Sequence, residues 1–267
     1  MKRSARFAGL WYPSSADELS LITGNPELHG NNVNAVLPHA GLFYSGGIIR
    51  NYFESLSSSV KRVVIISPSH YYYIEPDVIV TASFTSSSTP LGDAETVPLS
   101  IPHAVQSEAA LQAEHGVEMF LPFIAARGLK VSYALVSSLS SVEKVYEKAG
   151  LFKAEADGET AFIASSDFTH YGPRFNYIPY SCDAEEQVVE SDGCCAALLA
   201  EGRIEKVFAD FTKGTICGIA PAMIVSALSS EDGLAGMRGP HTTSNDVSGE
   251  KDENFVSYQS VYWRKEC

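Results

Sequence analysis

The sequence predicts one α/β domain, residues 1–267, built on a central, largely parallel to mixed sheet flanked by helices. Three observations predict it. Short apolar runs alternate with helix-like segments along the chain. Those runs are near-continuous in hydrophobicity rather than alternating, as strands covered on both faces require. No linker-like composition shift, repeat or low-complexity tract beyond the short "FTSSSTP" cluster divides the 267 residues, 45% of them hydrophobic, so one sizeable core is expected.

The elements follow in order. "SSADELSLI" predicts a first helix, with Ser15 and Glu18 at capping-box spacing. "NAVLPH" is a strand that leaves through a proline to His39, followed by glycine and a small-residue turn. "RVVIISP" repeats that grammar and exits to His70, and "PDVIVTA" is a third strand. "VEMFLPFIAARG" is helical but carries an interior proline, so it is kinked or begins late. "KVSYALV" and "TAFIASS" are strands on either side of the helix "SVEKVYEKAGLF". "DAEEQVVESDGCCAALLAEG" and "GIAPAMIVSALSS" are helices, "RGPHTTSNDVSGEKDEN" is a polar loop, and "FVSYQSVYW" closes the sheet.

Composition excludes several classes. A net charge of −13 argues against duplex nucleic acid, whose phosphates need a basic face. No apolar run approaches a membrane span, and the opening "MKRSARFAGLWYPSS" has no apolar signal-peptide region. Five cysteines, odd in number and irregular in spacing, form neither a disulfide framework nor a C-x-x-C zinc ribbon. A reducing, cytoplasmic setting is expected.

Ligands of open α/β sheets bind outside the carboxyl ends of the strands. Three strands here exit to a histidine: His39, His70, and His170 of "SSDFTH", which also holds Asp167. In a mostly parallel sheet those exits share one edge, and neutral imidazole is the commonest metal ligand. Singly, each histidine reads first as a hydrogen-bonded loop residue; the coincidence of three shifts the balance toward a site. Cys217 of "TICG" precedes a helix, where the macrodipole favours thiolate; it also reads as a small buried residue under a turn. His115 and Glu118 lie three apart, a spacing that suits a proton shuttle, substrate orientation or an exposed capping pair. Cys194 and Cys195 fit a helix core, and Cys267 is a tail residue. There is no G-x-S-x-G elbow, Walker loop or G-x-G-x-x-G.

The stretches "AGLWYP", "PHAGLFYSG", "ISPSHYYY", "STPLGD", "EHGVEMFLPF", "SSDFTHYG", "TICG" and "SNDVSGEKDENFVSY" occur in the order found in the Memo family, which includes protein B of the AmmeMemoRadiSam system. The chain resembles that family nearly end to end. The resemblance implies a fold related to the class III extradiol dioxygenases and a metal-dependent pocket. It implies His39, His70 and Cys217 as metal ligands, with cysteine replacing the dioxygenase carboxylate. His170 would be the acid/base, and Asp167 and His115 would line the pocket. Phe120 and His241 stand where the family commonly has a polar residue and a tyrosine, which bears on pocket selectivity.

A His-His-Cys set suits iron or copper, with zinc also compatible. His170 would accept a substrate proton and Asp167 would set a neighbouring imidazole's tautomer. The leading expectation is a metal-dependent, dioxygenase-like oxidoreductase acting on a small-molecule or peptide ligand, with a radical-SAM enzyme as pathway partner. The others are a non-catalytic peptide-binding scaffold using the same pocket, which the acidic balance disfavours for phosphopeptides, and a zinc hydrolase.

Overall fold

A computed structural model describes residues 1–265. Four parallel strands form its centre, in the order Asn32–Leu37, Thr160–Ser165, Arg62–Ser67 and Lys130–Leu135. Ala35 stands beside Ile163, Ile163 beside Ile65, and Ile65 beside Tyr133. Beyond Lys130–Leu135 lie two short strands, Val80–Thr81 and Val105–Gln106. On the other side the closing strand Phe255–Arg264 runs antiparallel to Asn32–Leu37. It also pairs antiparallel with Ala235–Thr243 along most of its length and with His170–Tyr171 at its start. The sheet is therefore mixed, with a parallel heart.

Successive strand residues feed opposite faces, as a period of two requires. Ala35, Leu37, Val63, Ile65, Val131, Tyr133 and Ile163 join one core, under helices Ala16–Thr23, Leu42–Glu54 and Leu121–Ala126. Val36, Val64, Ile66, Ala134, Phe162 and Ala164 join the other, under Val142–Lys153, Ala184–Ala200, Ile204–Phe211 and Ile219–Glu231. Burying a Val, Leu, Ile or Phe side chain is worth about 1.5–3 kcal/mol, which is why these strands read as unbroken apolar runs.

Several elements differ from expectation. The small-residue turn after His39 is the 13-residue helix Leu42–Glu54. Its two glycines and its aromatic and β-branched residues have poor helix propensity, but packing of Ile48, Ile49, Tyr52 and Phe53 overrides it. "PDVIVTA" yields only Val80–Thr81, because Pro76 and Asp77, the latter at positive φ, form a turn. The serines of "FTSSSTP" form the strand Ser86–Thr89, in a small sheet with Lys2–Arg3 and Gly92–Glu95. The expected polar loop near the C-terminus holds strand Ala235–Thr243, bulged between Arg238 and His241 around Pro240, and helix Ser244–Ser248 under a Thr243/Asp246 capping box. Cys195 is buried as expected, whereas Cys194 is exposed; Cys267 lies outside the described residues.

Pro122 breaks its segment as anticipated, into helices His115–Glu118 and Leu121–Ala126. Glu118 is no catalytic partner of His115. It is fully buried and binds Arg3 Nη1 at 2.6 Å, the Phe7 amide at 2.7 Å and the Tyr12 hydroxyl at 2.8 Å. Arg3, equally buried, also donates to the Leu111 and Glu114 carbonyls. This cluster fastens the N-terminal segment over the strand ends. Glu118→Ala would leave the Arg3 guanidinium buried without its counter-charge, a loss of about 3–5 kcal/mol. Urea unfolding is expected to register it; a cost below about 1 kcal/mol would mean that other acceptors replace the carboxylate.

Candidate metal centre

Parallel strands deliver their exits to one rim. His39 follows Leu37, His70 follows Ser67, and Asp167 follows Ser165. His115 arrives from the crossover before Lys130–Leu135, at the start of its short helix. Gly116 makes that approach feasible: a Cβ there would stand 2.4 Å from Ser67 Oγ and 3.1 Å from Ser165 Oγ. One ligating nitrogen each from His39, His70 and His115 then lies within 4.8 Å of the others. The ring centroids are 4.9 Å apart for His39–His70, 5.1 Å for His39–His115 and 4.3 Å for His70–His115.

Hydrogen bonds behind the rings fix two tautomers. His39 Nδ1 lies 2.6 Å from Ser165 Oγ, whose own proton goes to the Gly116 carbonyl at 2.6 Å. The serine must therefore accept, so the His39 proton sits on Nδ1 and Nε2 is free of a proton, facing Cys217 Sγ at 3.3 Å. His70 Nδ1 donates to Glu114 Oε1 at 2.7 Å, and its amide donates to Oε2 at 2.8 Å. Its Nε2 is likewise free. His115 Nδ1 is buried without a hydrogen-bond partner among the described residues, 3.3 Å from Glu114 Oε1 but poorly aligned. An orphaned buried nitrogen beside two inward lone pairs is a donor set that fits a metal ion.

The electrostatics keep His39 and His115 neutral. Burial first, then the neighbouring His70 and His170, hold His39 well below its usual value. Burial, His39 and His70 bring His115 down to about 2. Glu114 stays ionised: burial opposes this most strongly, but hydrogen bonding and charge from His70 prevail and lower its pKa.

The remaining expected residues stand around this group. Cys217 Sγ lies 3.3 Å from His39 Nε2 and 3.5 Å from the Asp167 carbonyl, outside the three-nitrogen cluster. The Cys217 turn can come this close because the next residue is Gly218, where a Cβ would meet the Ser165 carbonyl at 2.2 Å. The expected thiolate is overturned for the metal-free protein. Burial and then the Asp167 charge push the Cys217 thiol well above its usual range, outweighing the helix that begins at Ile219. Asp167 Oδ1 accepts from the His39 and Ala40 amides at 2.7 and 3.3 Å, so it holds the backbone. The tautomers belong to Ser165 and Glu114 instead, contrary to the reading of Asp167. His170 is carried by its pairing with the closing strand. Its Nδ1 faces the Phe168 and Thr215 carbonyls at 3.1 and 3.0 Å, so it donates there and leaves Nε2 free.

All but Cys217 of the expected site residues line one cavity of about 610 Å³, whose walls include Trp11, Phe43, Tyr44, Phe175 and Tyr258. Phe120 is instead fully buried in the core, and His241 bonds Ser257 beside a separate groove. Glu114 and Ser165 escaped sequence reading: the one signal for Glu114 was a carboxylate next to His115, and Ser165 had only its place in the quoted "SSDFTH". Trp11 and Tyr258 carried none beyond the quoted stretches.

A profile described as "Memo-like protein" matches residues 3–262, and the chain belongs to that family. It is similar to the protein memo-1 homolog of Caenorhabditis elegans, 31% identical in an alignment that covers 84% of this chain and 70% of that one. The MEMO1 family protein MHO1 of Saccharomyces cerevisiae is 28% identical over 97% of this chain and 98% of its own length. A MEMO1 family protein of Thermococcus onnurineus is 28% identical over 99% and 100%.

The depressed histidines set a pH dependence for the metal-free protein. Above about pH 6.5 both are neutral whether folded or unfolded and contribute nothing. Below it the unfolded chain takes protons that folded His39 and His115 refuse, so stability falls with pH, by up to about 1.4 kcal/mol per pH unit for each. For His115 the window extends down to about pH 2. The buried Asp167, raised by burial, works in the opposite direction. Urea midpoints from pH 6.5 to 5 should therefore slope less in His115→Asn than in the wild type; equal slopes would contradict a neutral, buried His115. Glu114→Gln should weaken zinc binding about 10–100-fold in a chelator competition, because the His70 tautomer loses its anchor.

Proposed function

We propose that this Memo-family chain is a metal-dependent oxidoreductase, dioxygenase-like in chemistry, with iron or copper held by His39, His70 and Cys217 and with His115 beside them. The observation that carries this reading is the convergence of three imidazoles within 4.8 Å, two with inward lone pairs and one with an unpartnered nitrogen, with Cys217 Sγ 3.3 Å from His39 Nε2. Neutral nitrogen donors with an adjacent sulfur favour a transition metal over magnesium or calcium. Such an ion supplies redox chemistry and open coordination positions when bound. Loading it requires Cys217 to lose its proton, so binding releases protons and strengthens with pH.

The chain's own groups complete the chemistry. His170, its Nδ1 proton committed to two carbonyls, accepts a substrate proton at Nε2. Asp167 holds the turn that presents His39. Burial and the Asp167 charge keep Tyr258 protonated, so its hydroxyl serves as a hydrogen-bond donor.

A second reading, peptide docking without catalysis, draws on the exposed rim, where Leu10 and Phe43 are 78% and 71% accessible. Tight calorimetric binding of a tyrosine-containing peptide irrespective of metal would favour it.

The test is anaerobic reconstitution with ferrous or cuprous ion followed by metal analysis. Stoichiometric binding is expected in the wild type and lost in His39→Ala, His70→Ala and Cys217→Ala. Full retention in all three would end the proposal.

A further inference from the structure

The mouth of the histidine pocket carries one cation. Among the lining residues only Arg174 is a lysine or arginine, and its guanidinium forms no ion pair among the described residues. Arg3 is committed to Glu118, Arg50 to Glu54 and Arg127 to the Thr23 and Asn25 carbonyls, whereas Arg174 has no such side-chain bond among the described residues. The Arg174 charge is felt by the nearby Asp252 carboxyl but is tied down by no ion pair among the described residues, so its donors remain open to a ligand at this cavity.

Its presentation is built. The Arg174 amide donates to Asn254 Oδ1 at 2.8 Å, and Asn254 is in turn held by Asp252. Gly172 and Tyr177 close the loop with reciprocal backbone bonds of 2.9 and 3.3 Å. The next residue, Phe175, packs edge-on against the His170 ring at 5.2 Å. On the facing walls Trp11 lies 4.4 Å from the His115 ring, and Tyr44 and Tyr258 adjoin each other. A polar fork thus stands at the rim, aromatic surfaces line the walls, and imidazoles form the floor.

We propose that this pocket binds a small organic monoanion, an arylalkyl carboxylate, with its carboxylate on Arg174 and its apolar body between Trp11, Phe43, Phe175 and Tyr258 over the three histidines. The proposal rests on the pocket's being the ligand site of the metal centre and names the class of molecule that enters it. A guanidinium matches one carboxylate in charge and in its paired donors. The buried Asp167 on the same cavity disfavours an anion at the floor, which orients the molecule with its charge outward. A phosphate dianion would find a single cation and the same opposing carboxylate.

Calorimetry on the full chain, without added metal, tests it with 3-phenylpropionate and the neutral 3-phenyl-1-propanol. The acid is expected to bind about tenfold or more tighter than the alcohol. Arg174→Gln, at an exposed position, should erase that preference, and Arg174→Lys should keep part of it. Equal binding of acid and alcohol, an undiminished preference in Arg174→Gln, or phenyl phosphate displacing the acid at lower concentration would each overturn the proposal. Zinc titration of Arg174→Gln should match the wild type. Failure of the wild-type protein to bind ferrous or cuprous ion would sink the metal centre while leaving the preference for acid over alcohol intact, so the two readings fail separately.

Discussion

The site depends on where the imidazole protons point. Three rings packed this closely can neither share charge nor turn their N–H groups on one another, so each proton must be drawn outward. Ser165 does this for His39, with the Gly116 carbonyl forcing the serine to accept, and Glu114 does it for His70. The cluster of lone pairs facing a common point is the consequence. It is also costly in a low-dielectric setting, since no proton can relieve a buried ring without charging it. The depressed protonation of His39 and His115 expresses that cost.

One short turn serves both stability and the site. Glu114, His115 and Glu118 lie within five residues: the first anchors His70, the second supplies a ring, the third binds the N-terminal segment. That segment brings Trp11 onto His115, and the Trp11 carbonyl receives the amide of Leu42 at the start of the helix after His39. Roof, floor and one wall are therefore coupled through buried polar contacts. Loss of any one is felt in the others, since such networks do not divide into independent pairs.

Cys217 shows how context overrides a local rule. A helix start lowers a thiol's pKa by a modest electrostatic effect, while burial beside Asp167 raises it more. The sulfur is consequently poised next to His39 as a neutral thiol, and a cation in the pocket would reverse the balance. The same cavity holds Asp167 among its histidines and carries Arg174 at its edge.

The chain's pattern pointed to the parallel heart of the sheet, because unbroken apolar runs leading to Pro-His, Pro-Ser-His or Ser-Asp suit strands covered on both faces and opening on one rim. It also marked His39, His70, Asp167 and His170 as rim residues. It did not reveal the helix after His39, whose glycines and aromatics contradict propensity, nor the edge strand through Pro240, whose polar residues mimic a loop. Above all, Glu114, Ser165 and the differing jobs of His115 and Glu118 arise from contacts between segments far apart along the chain. Which proton faces which acceptor is set by those distances, and spacing along one strand or helix carries no record of them.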